Sequence, residues 1–296
     1  MSTYTKNRLD SVRRCIDSLK NQSLACKEIV LVLDPDEDLV DFYRRRLEDD
    51  VKLVLSDKRG LSNARNTGIK NAKGEIVAFI DDDAVADENW LSKMVSNYDD
   101  PKVVGVGGTV MPRWEGSRSV WFPEELDWIV GCSYKGLPEC RTVVRNPIGC
   151  NMSFRKNVFK KVGFFSTKIG RFGRKLLAGE EPEFSIRVLK TFREAKIIYD
   201  PSAVVYHDVP KGRANLRYAL ERSFYEGLSK AIITSKRNSV GDLSREDAYI
   251  KYILGVTMPS KLKRFYKLEN LCHLAAVTAS MLMVLMGFSI GKLQKK

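Results

Sequence analysis

The stretch GEIVAFIDDDAVAD, residues 74–87, joins an apolar run to three consecutive aspartates. A second run, EIVLVLD at 28–34, has the same apolar pattern and also ends in an aspartate. Continuous apolar, β-branched runs are typical of strands that are buried on both faces of a parallel sheet. The two stretches therefore predict an α/β domain in which acidic side chains stand at the ends of strands.

Helix and strand patterns alternate around these runs. The pattern predicts a helix over 9–20, a strand over 28–34, a helix over 39–47, a strand over 51–56, and a loop and helix over 60–72 before the strand that ends at Asp81. This alternation predicts a doubly wound α/β domain. Ligands of such sheets bind beyond the carboxyl ends of the strands, so we expect Asp34 and Asp81–Asp83 at a binding site.

The three adjacent carboxylates repel one another unless a cation lies among them. Side chains alternate along a strand, so Asp81 and Asp83 are expected on one side and Asp82 on the other. Mg²⁺ and Mn²⁺ bind a few carboxylates together with phosphate oxygens, and this pair suits them. A solvated acidic turn is the alternative interpretation. A calcium loop is disfavoured, because Val85 holds its third ligand position.

The composition is that of a globular protein with a basic surplus. The chain has 296 residues, of which 44% are hydrophobic and 29% charged, and a formal net charge of +13. This charge predicts an anionic partner. We expect acidic small molecules and anionic lipid rather than nucleic acid, because no nucleic-acid-binding motif accompanies it. Six scattered cysteines without a CxxC pair are expected to be reduced thiols.

Two further patterns are interpreted as structural. GVGG at 105–108 lacks the G-x-G-x-x-G spacing of a dinucleotide-binding loop. The arginines at 44–46 are expected on a solvated helix face. Neither pattern therefore predicts a second ligand site.

Four more stretches accompany FIDDD and EIVLVLD in a fixed order: TYTKNRLDSVRRCIDSLKNQS from Thr3, GLSNARNTG from Gly60, NPIGCNMSFRKNVFKKVGFF from Asn146, and GEEPEFSIRV from Gly179. Over about residues 2–230 the chain thus resembles the family-two inverting glycosyltransferases of A-type fold. The resemblance implies a Rossmann-like mixed sheet with helices on both faces, a UDP-sugar donor, and Mg²⁺ or Mn²⁺ as cofactor. WFPEELDWIVGCSYKGLPE at 121–139 further resembles archaeal enzymes that add glucuronate to glucosyl-dolichyl phosphate in N-glycan assembly.

The resemblance implies roles for individual residues on the donor side. The residues expected to bind the UDP-sugar are Thr3, Tyr4, Asp34, Arg65, Asp81 and Asp82. Tyr4 would stack on uracil, Asp34 would accept its N–H, and Asp82 would hold the ribose hydroxyls. Asp83 and Asp81 would hold the metal. His207 would be a third metal ligand, or equally a histidine satisfied within the core.

The acceptor side needs a general base, and the segment AGEEPEF offers it. By resemblance Glu181 is the expected catalytic base, with Glu180 as the alternative, and Pro182 suits the first turn of a helix. Acids also favour a helix N-terminus for structural reasons. Asn151 and Trp121 are expected on the acceptor side, where a lipid-linked sugar would bind.

Two departures from the family pattern matter for function. Only Met1 and Ser2 precede TY, where the family has a longer apolar strand, so either the chain starts upstream or the domain is compromised. The Gln-x-x-Arg-Trp segment of processive synthases is absent, which disfavours polymerisation. A non-catalytic nucleotide-sugar-binding protein and a nucleotidyltransferase are the alternative functions, although the latter lacks its glycine- and lysine-rich loop.

The carboxyl-terminal part predicts contact with a membrane. LCHLAAVTASMLMVLMGFSI at 271–290 carries no formal charge and is flanked by lysines and arginines. About 20 apolar residues suffice to cross a bilayer as a helix. We therefore expect a catalytic domain over 1–210, a helical extension over 211–268, and a transmembrane or membrane-associated helix over 271–290. The expected location is the cell membrane, with the catalytic domain on the cytoplasmic side.

Overall fold

The computed structural model describes residues 1–170, 176–234 and 243–294. Its strands are β1 (Ser2–Thr3), β2 (Ile29–Leu33), β3 (Val51–Leu55), β4 (Ile76–Ile80), β5 (Ala84–Ala86), β6 (Val103–Trp114), β7 (Thr142–Val143), β8 (Asn151–Arg155) and β9 (Lys196–Val209). Its α-helices are α1 (Leu9–Lys20), α2 (Glu37–Arg44), α3 (Leu61–Asn71), α4 (Trp90–Val95), α5 (Lys156–Val162), α6 (Glu180–Thr191), α7 (Leu216–Thr234), α8 (Ser244–Tyr252), α9 (Met258–Leu262) and α10 (Leu268–Leu293). Lys295 and Lys296, which flank the apolar segment, lie outside the described residues.

The described residues form two compact units. The first comprises 1–111, 139–170 and 180–207, and the second comprises 112–138, 176–179, 208–234 and 243–294. The functional boundaries expected at 210 and 268 stay predictions.

A three-stranded parallel sheet opens the first unit, in the order β1-β2-β3. Alternate apolar residues of β2 pack with the inner face of α1, where Val12 and Ile16 are buried beside Leu31 and Leu33. Tyr43 of α2 completes this core, and its hydroxyl donates to the carbonyl of Thr5 at 2.9 Å. The predicted helix over 9–20 and the strands at 28–34 and 51–56 are confirmed to within a residue or so at each end.

The second sheet of this unit has the order β4-β8-β6-β9-β5, with β7 paired to β9. Its β4–β8, β6–β8 and β5–β9 pairs are antiparallel. The expected α/β class with mixed strand directions is confirmed, but the strands are divided between two sheets. The physical reason is the length of β1: its two residues pair with β2, so that β1 and β4 each end their sheets. An aromatic cluster fills the core behind β8: Phe79, Phe154, Phe159, Phe165 and Phe184.

The glycines at 105–108 lie in the middle of β6, where neighbouring backbone leaves no room for a side chain. A Cβ at Gly108 would stand 1.9 Å from the carbonyl oxygen of Ala203, and one at Gly107 would stand 2.4 Å from Pro147 Cβ. These glycines therefore serve close strand packing, which agrees with the rejection of a dinucleotide loop.

The second unit is built mainly of helices. The segment before β7 contributes a 3-10 helix, Glu124–Val130, whose Glu125 is buried. The carbonyl of Glu125 accepts from the Tyr249 hydroxyl of α8 at 2.9 Å, and its carboxylate accepts from Thr257 at 3.2 Å. The π-helix Ile253–Thr257 connects α8 to α9, and α10 follows.

Candidate active site

The three aspartates leave β4 at a tight turn. β4 ends at Ile80, and β5 begins at Ala84, which pairs with His207 of β9. This pairing places His207 Nε2 3.4 Å from Asp83 Oδ1. Asp82 is buried, whereas Asp81 and Asp83 are more accessible. Asp82 is thus the least accessible of the three carboxylates, and the sharing of one side by Asp81 and Asp83 stays a prediction.

The ligand atoms of Asp81, Cys150 and His207 lie within 4.8 Å of one another. Carboxylate and imidazole groups are suitable ligands for a divalent cation. Asp83 adds a further carboxylate through its contact with His207. The donor set of these residues therefore fits a metal. No pattern in the sequence points to Cys150, whose approach depends on the turn at 148–151 where β8 begins.

Arg8 holds the two carboxyl-terminal aspartates of the triplet. Its guanidinium donates to Asp82 Oδ1 and lies 3.3 Å from Asp83 Oδ2. Burial raises the pKa of the Asp82 carboxyl to about 6, although the positive charge of Arg8 opposes this. Sequence reasoning missed Arg8, because a lone basic residue before a helix has no distinguishing pattern. The arginine neutralises part of the charge that three adjacent acids create.

Arg65 of α3 connects the aspartates to the acids of α6. It is 6% exposed, and its Nη1 donates to Glu180 Oε1 at 3.2 Å and to Glu181 Oε1 at 3.1 Å. Its Nη2 donates to the carbonyl of Gly149 at 3.2 Å and lies 3.7 Å from Asp81 Oδ1. Loss of this cation would remove an ion-pair partner from the buried carboxylate of Glu180, which is costly.

The two glutamates begin α6, where the helix N-terminus favours negative charge. Glu180 is buried at 2% exposure, whereas the Glu181 side chain retains 14%. Glu181 is thus the more accessible of the two acids. Its carboxylate lies against Gly149, where a Cβ would stand 1.7 Å from Oε1. The predicted start of a helix at this segment, with Pro182 in its first turn, is confirmed.

The expected uracil-binding residues stand at the ends of the parallel strands. Thr3 ends β1 and is buried, while Tyr4 is 63% exposed with the Arg8 guanidinium 5.2 Å from its ring centroid. The Asp34 backbone N–H donates to the Thr3 carbonyl at 3.2 Å. Burial raises the pKa of the Asp34 carboxyl, opposed by a hydrogen bond from the Gly60 backbone and by Arg59. An exposed aromatic ring and a carboxylate thus lie at neighbouring strand ends.

Asn151 and Trp121, both expected on the acceptor side, belong to different units of the structure. Asn151 is fully buried; its amide accepts from Trp90 Nε1 at 2.8 Å and donates to the carbonyls of Thr109 and Ala203. This burial argues against direct contact between Asn151 and an acceptor. Trp121 belongs to the second unit, where it packs edge-on against Phe122, and its acceptor role stays a prediction.

Comparison with known proteins identifies the class of this fold and site. The model of the family "Glycosyl transferase family 2" matches residues 3–163. A glucosyl-dolichyl phosphate glucuronosyltransferase of Haloferax volcanii is 34% identical over 281 residues, which are 94% of this chain and 89% of the relative. The succinoglycan biosynthesis protein ExoM of Rhizobium meliloti is 25% identical over 76% of this chain and 71% of its own.

Among solved structures, the fold is similar to that of GalNAc-T7 crystallised with UDP, GalNAc and Mn²⁺, with a TM-score of 0.51 and 17% identity. That match covers 83% of this chain, which spans about half (54%) of the solved chain. Fold and sequence together define a glycosyltransferase of A-type fold. The chain belongs to glycosyl transferase family 2.

Proposed function

We propose that this chain transfers glucuronate from UDP-glucuronate to a sugar linked to a dolichyl or other polyprenyl phosphate. The donor and acceptor classes follow the name of the Haloferax relative, which is 34% identical over 94% of this chain. One structural observation supports the proposed chemistry. A single buried guanidinium, that of Arg65, lies 3.7 Å from Asp81 and 3.1 Å from Glu181. The acids proposed for the donor and for the acceptor therefore flank one cation.

On the donor side, each proposed contact suits the chemistry of the residue. The exposed ring of Tyr4 offers a face for uracil, and Asp34 offers an acceptor for its N–H. Asp82 would hold the ribose hydroxyls. Asp83, Asp81 and His207 would hold a divalent metal, which when bound neutralises charge on the departing diphosphate. We favour Mn²⁺ over Mg²⁺, because an imidazole ligand suits it better than it suits the harder ion.

On the acceptor side, Glu181 is proposed as the general base. The acceptor hydroxyl oxygen forms a bond to C1 of the sugar, the bond from C1 to the diphosphate oxygen breaks, and the hydroxyl proton passes to the Glu181 carboxylate. Such a base contributes about 10²–10⁴-fold to the rate. Glu180 is too buried to meet the acceptor, so we assign it the role of holding Arg65 in place.

The test is a matrix of donors and acceptors with the purified full chain. UDP-glucuronate, UDP-glucose and UDP-N-acetylglucosamine are each supplied with Mn²⁺ or Mg²⁺ and with glucosyl polyprenyl phosphate. Mass spectrometry of the lipid product is expected to show addition of a single hexuronate, only from UDP-glucuronate and faster with Mn²⁺.

The same matrix separates the alternative functions. Tight UDP-sugar binding without transfer to any acceptor would indicate a binding protein. Release of pyrophosphate in an added reaction that supplies UTP and a sugar phosphate would indicate a nucleotidyltransferase. The Glu181→Gln variant serves as the control for transfer that does not depend on the proposed site.

A further inference from the structure

α10 is the one helix among the described residues that is long and apolar enough to cross a membrane, by length and composition. Only 28% of its most apolar 18-residue stretch is buried. After its first residue, exposed large apolar side chains recur at helical spacing: Leu271, Leu282, Leu285, Met286 and Leu293. We call these five residues the leucine stripe. A stripe of this size needs an apolar partner, and two arrangements in a bilayer satisfy it: a helix that crosses, or one that lies in the interface.

The packing of α10 decides between these arrangements. A Cβ on Gly227 of α7 would stand 2.0 Å from the carbonyl oxygen of Val284, and one on Gly287 would stand 2.0 Å from that of Phe224. Further along, a Cβ on Gly291 would stand 2.6 Å from Ala231 Cβ. Residue numbers at these contacts increase in the same direction along α7 and α10. The two helices therefore run parallel, with their backbones in contact. α10 therefore cannot enter a membrane at depth without α7.

α7 is poorly suited to the interior of a bilayer. Its 19 residues include five charged side chains: Arg217, Glu221, Arg222, Glu226 and Lys230. Glu226 pairs with Arg222 at 2.9 Å and with Lys230 at 3.0 Å, and Lys230 also reaches Glu246 of α8 at 2.7 Å. Charged residues within a bilayer are costly, and this network extends to a polar neighbour helix. A crossing α10 would have to carry all of these charges with it.

The residues around the start of α10 have the composition of a membrane interface. Leu262, Phe265, Tyr266 and Leu268 are each more than half exposed. They alternate with basic residues, which are Lys261, Lys263, Arg264 and Lys267. Exposed aromatic and aliphatic side chains interleaved with lysine and arginine are typical of helices that lie in the headgroup region of anionic bilayers. This segment leads directly into the leucine stripe.

We propose that α10 lies in the plane of an anionic phospholipid surface, with the leucine stripe in the acyl boundary, and does not cross the bilayer. The lipid surface as partner rests on the proposed function, because a polyprenyl-phosphate acceptor presents its sugar there. α7 lies on the other side of α10, toward water, and keeps its ion pairs hydrated. The carboxyl terminus then stays on the same side of the membrane as the catalytic unit.

The first test measures this sidedness. The full chain, with one protease-cleavable tag at each terminus, is bound to preformed vesicles of phosphatidylglycerol and phosphatidylcholine, and protease is added outside. We expect both tags to be removed at equal rates. A carboxyl-terminal tag that survives until detergent opens the vesicles would show that α10 crosses, and would overturn the proposal.

The second test addresses the surface itself. The double variant Leu282→Lys, Leu285→Lys is expected to lower co-sedimentation with these vesicles at least tenfold, while UDP binding and the circular dichroism spectrum stay unchanged. Leu24→Lys, at an exposed leucine of the first unit, is the matched control and is expected to bind vesicles like the parent. Unchanged vesicle binding of the double variant, or a loss of self-association in its place, would refute a lipid-facing stripe. Vesicle binding does not require turnover. A chain that binds vesicles as expected but transfers no sugar would therefore refute the proposed function and support the interfacial position of α10.

Discussion

Replacing Gly149 by alanine probes the position of the proposed base with the smallest possible change. The new Cβ would stand 1.7 Å from Glu181 Oε1 and 2.7 Å from Arg65 Nη2, whereas ordinary contact begins at 3.4 Å. The carboxylate therefore has to retreat by about 1.7 Å, the difference between these two distances. A misplacement of about 1 Å in a catalytic group costs on the order of 10²-fold in rate. We expect kcat of Gly149→Ala to fall about 10²-fold or more, with the affinity for UDP nearly unchanged.

The assay for this variant is single-turnover transfer from labelled UDP-glucuronate, alongside calorimetric titration with UDP and Mn²⁺. Gly68→Ala is the matched control, because Gly68 lies on the same helix as Arg65 and its added Cβ would meet only Val32 Cγ2 at 3.4 Å. The control is expected to turn over like the parent. Parent-like turnover of Gly149→Ala would refute the placement of Glu181 at the reacting centre, and loss of UDP binding would mean that the change disturbs the whole site.

Three further variants test other parts of the account. Asp83→Asn is expected to abolish the Mn²⁺-dependent part of UDP binding while leaving the thermal transition in place, since Asp83 lies in a turn; binding that responds to Mn²⁺ as before would contradict the metal assignment. Glu181→Gln is expected to lower turnover about 10²-fold or more with donor affinity retained, and equal turnover would exclude it as the base. Burial alone would raise the pKa of Glu226, but Lys230 and Arg222 lower it to about 2 from 4.5. The stabilisation this brings is complete above pH 4.5 and is lost as the pH falls toward 2, so the gap in unfolding free energy between parent and Glu226→Gln should narrow over that interval. A gap that stays constant in urea titrations across this range would count against the charge network of α7.

The predictable part of the fold is the part that local pattern determines. The helix over α1 and the strands β2, β3 and β4 follow from apolar periodicity and from runs of β-branched residues. The acidic turn after β4 was predictable because aspartates directly follow such a run. The division into two sheets was not, since it depends on which strands pair with the two residues of β1.

The site divides in the same way. Asp81–Asp83, Glu180 and Glu181 stand out as acids at the ends of elements, and the resemblance to a family gave them roles. Arg8 and Cys150 reach the site through contacts between residues that are far apart in sequence. The spacing of residues along the chain does not predict such contacts. Asn151 shows a limit of another kind: a buried amide that binds three partners inside the protein resembles, in sequence, one that faces a ligand, and its acceptor role stays a prediction.

The membrane segment shows how composition alone can mislead about arrangement. Twenty uncharged residues between basic flanks indicate contact with a bilayer, and they do not distinguish crossing from lying in the interface. The glycines that decide the question, Gly227 and Gly287, belong to two different helices and are 60 positions apart in the chain. Only their backbone contact reveals that α10 is tied to a charged neighbour.

The stereochemistry of the transferred sugar is the decisive measurement for the proposed inverting transfer of glucuronate. UDP-glucuronate carries its sugar in the α configuration, and a single displacement assisted by Glu181 inverts that centre. Supplied with UDP-[1-¹³C]glucuronate, Mn²⁺ and glucosyl polyprenyl phosphate, the full chain is predicted to yield a product whose anomeric carbon shows β-linked glucuronate by NMR. An α-linked product, or UDP release without any glycolipid product, would contradict it.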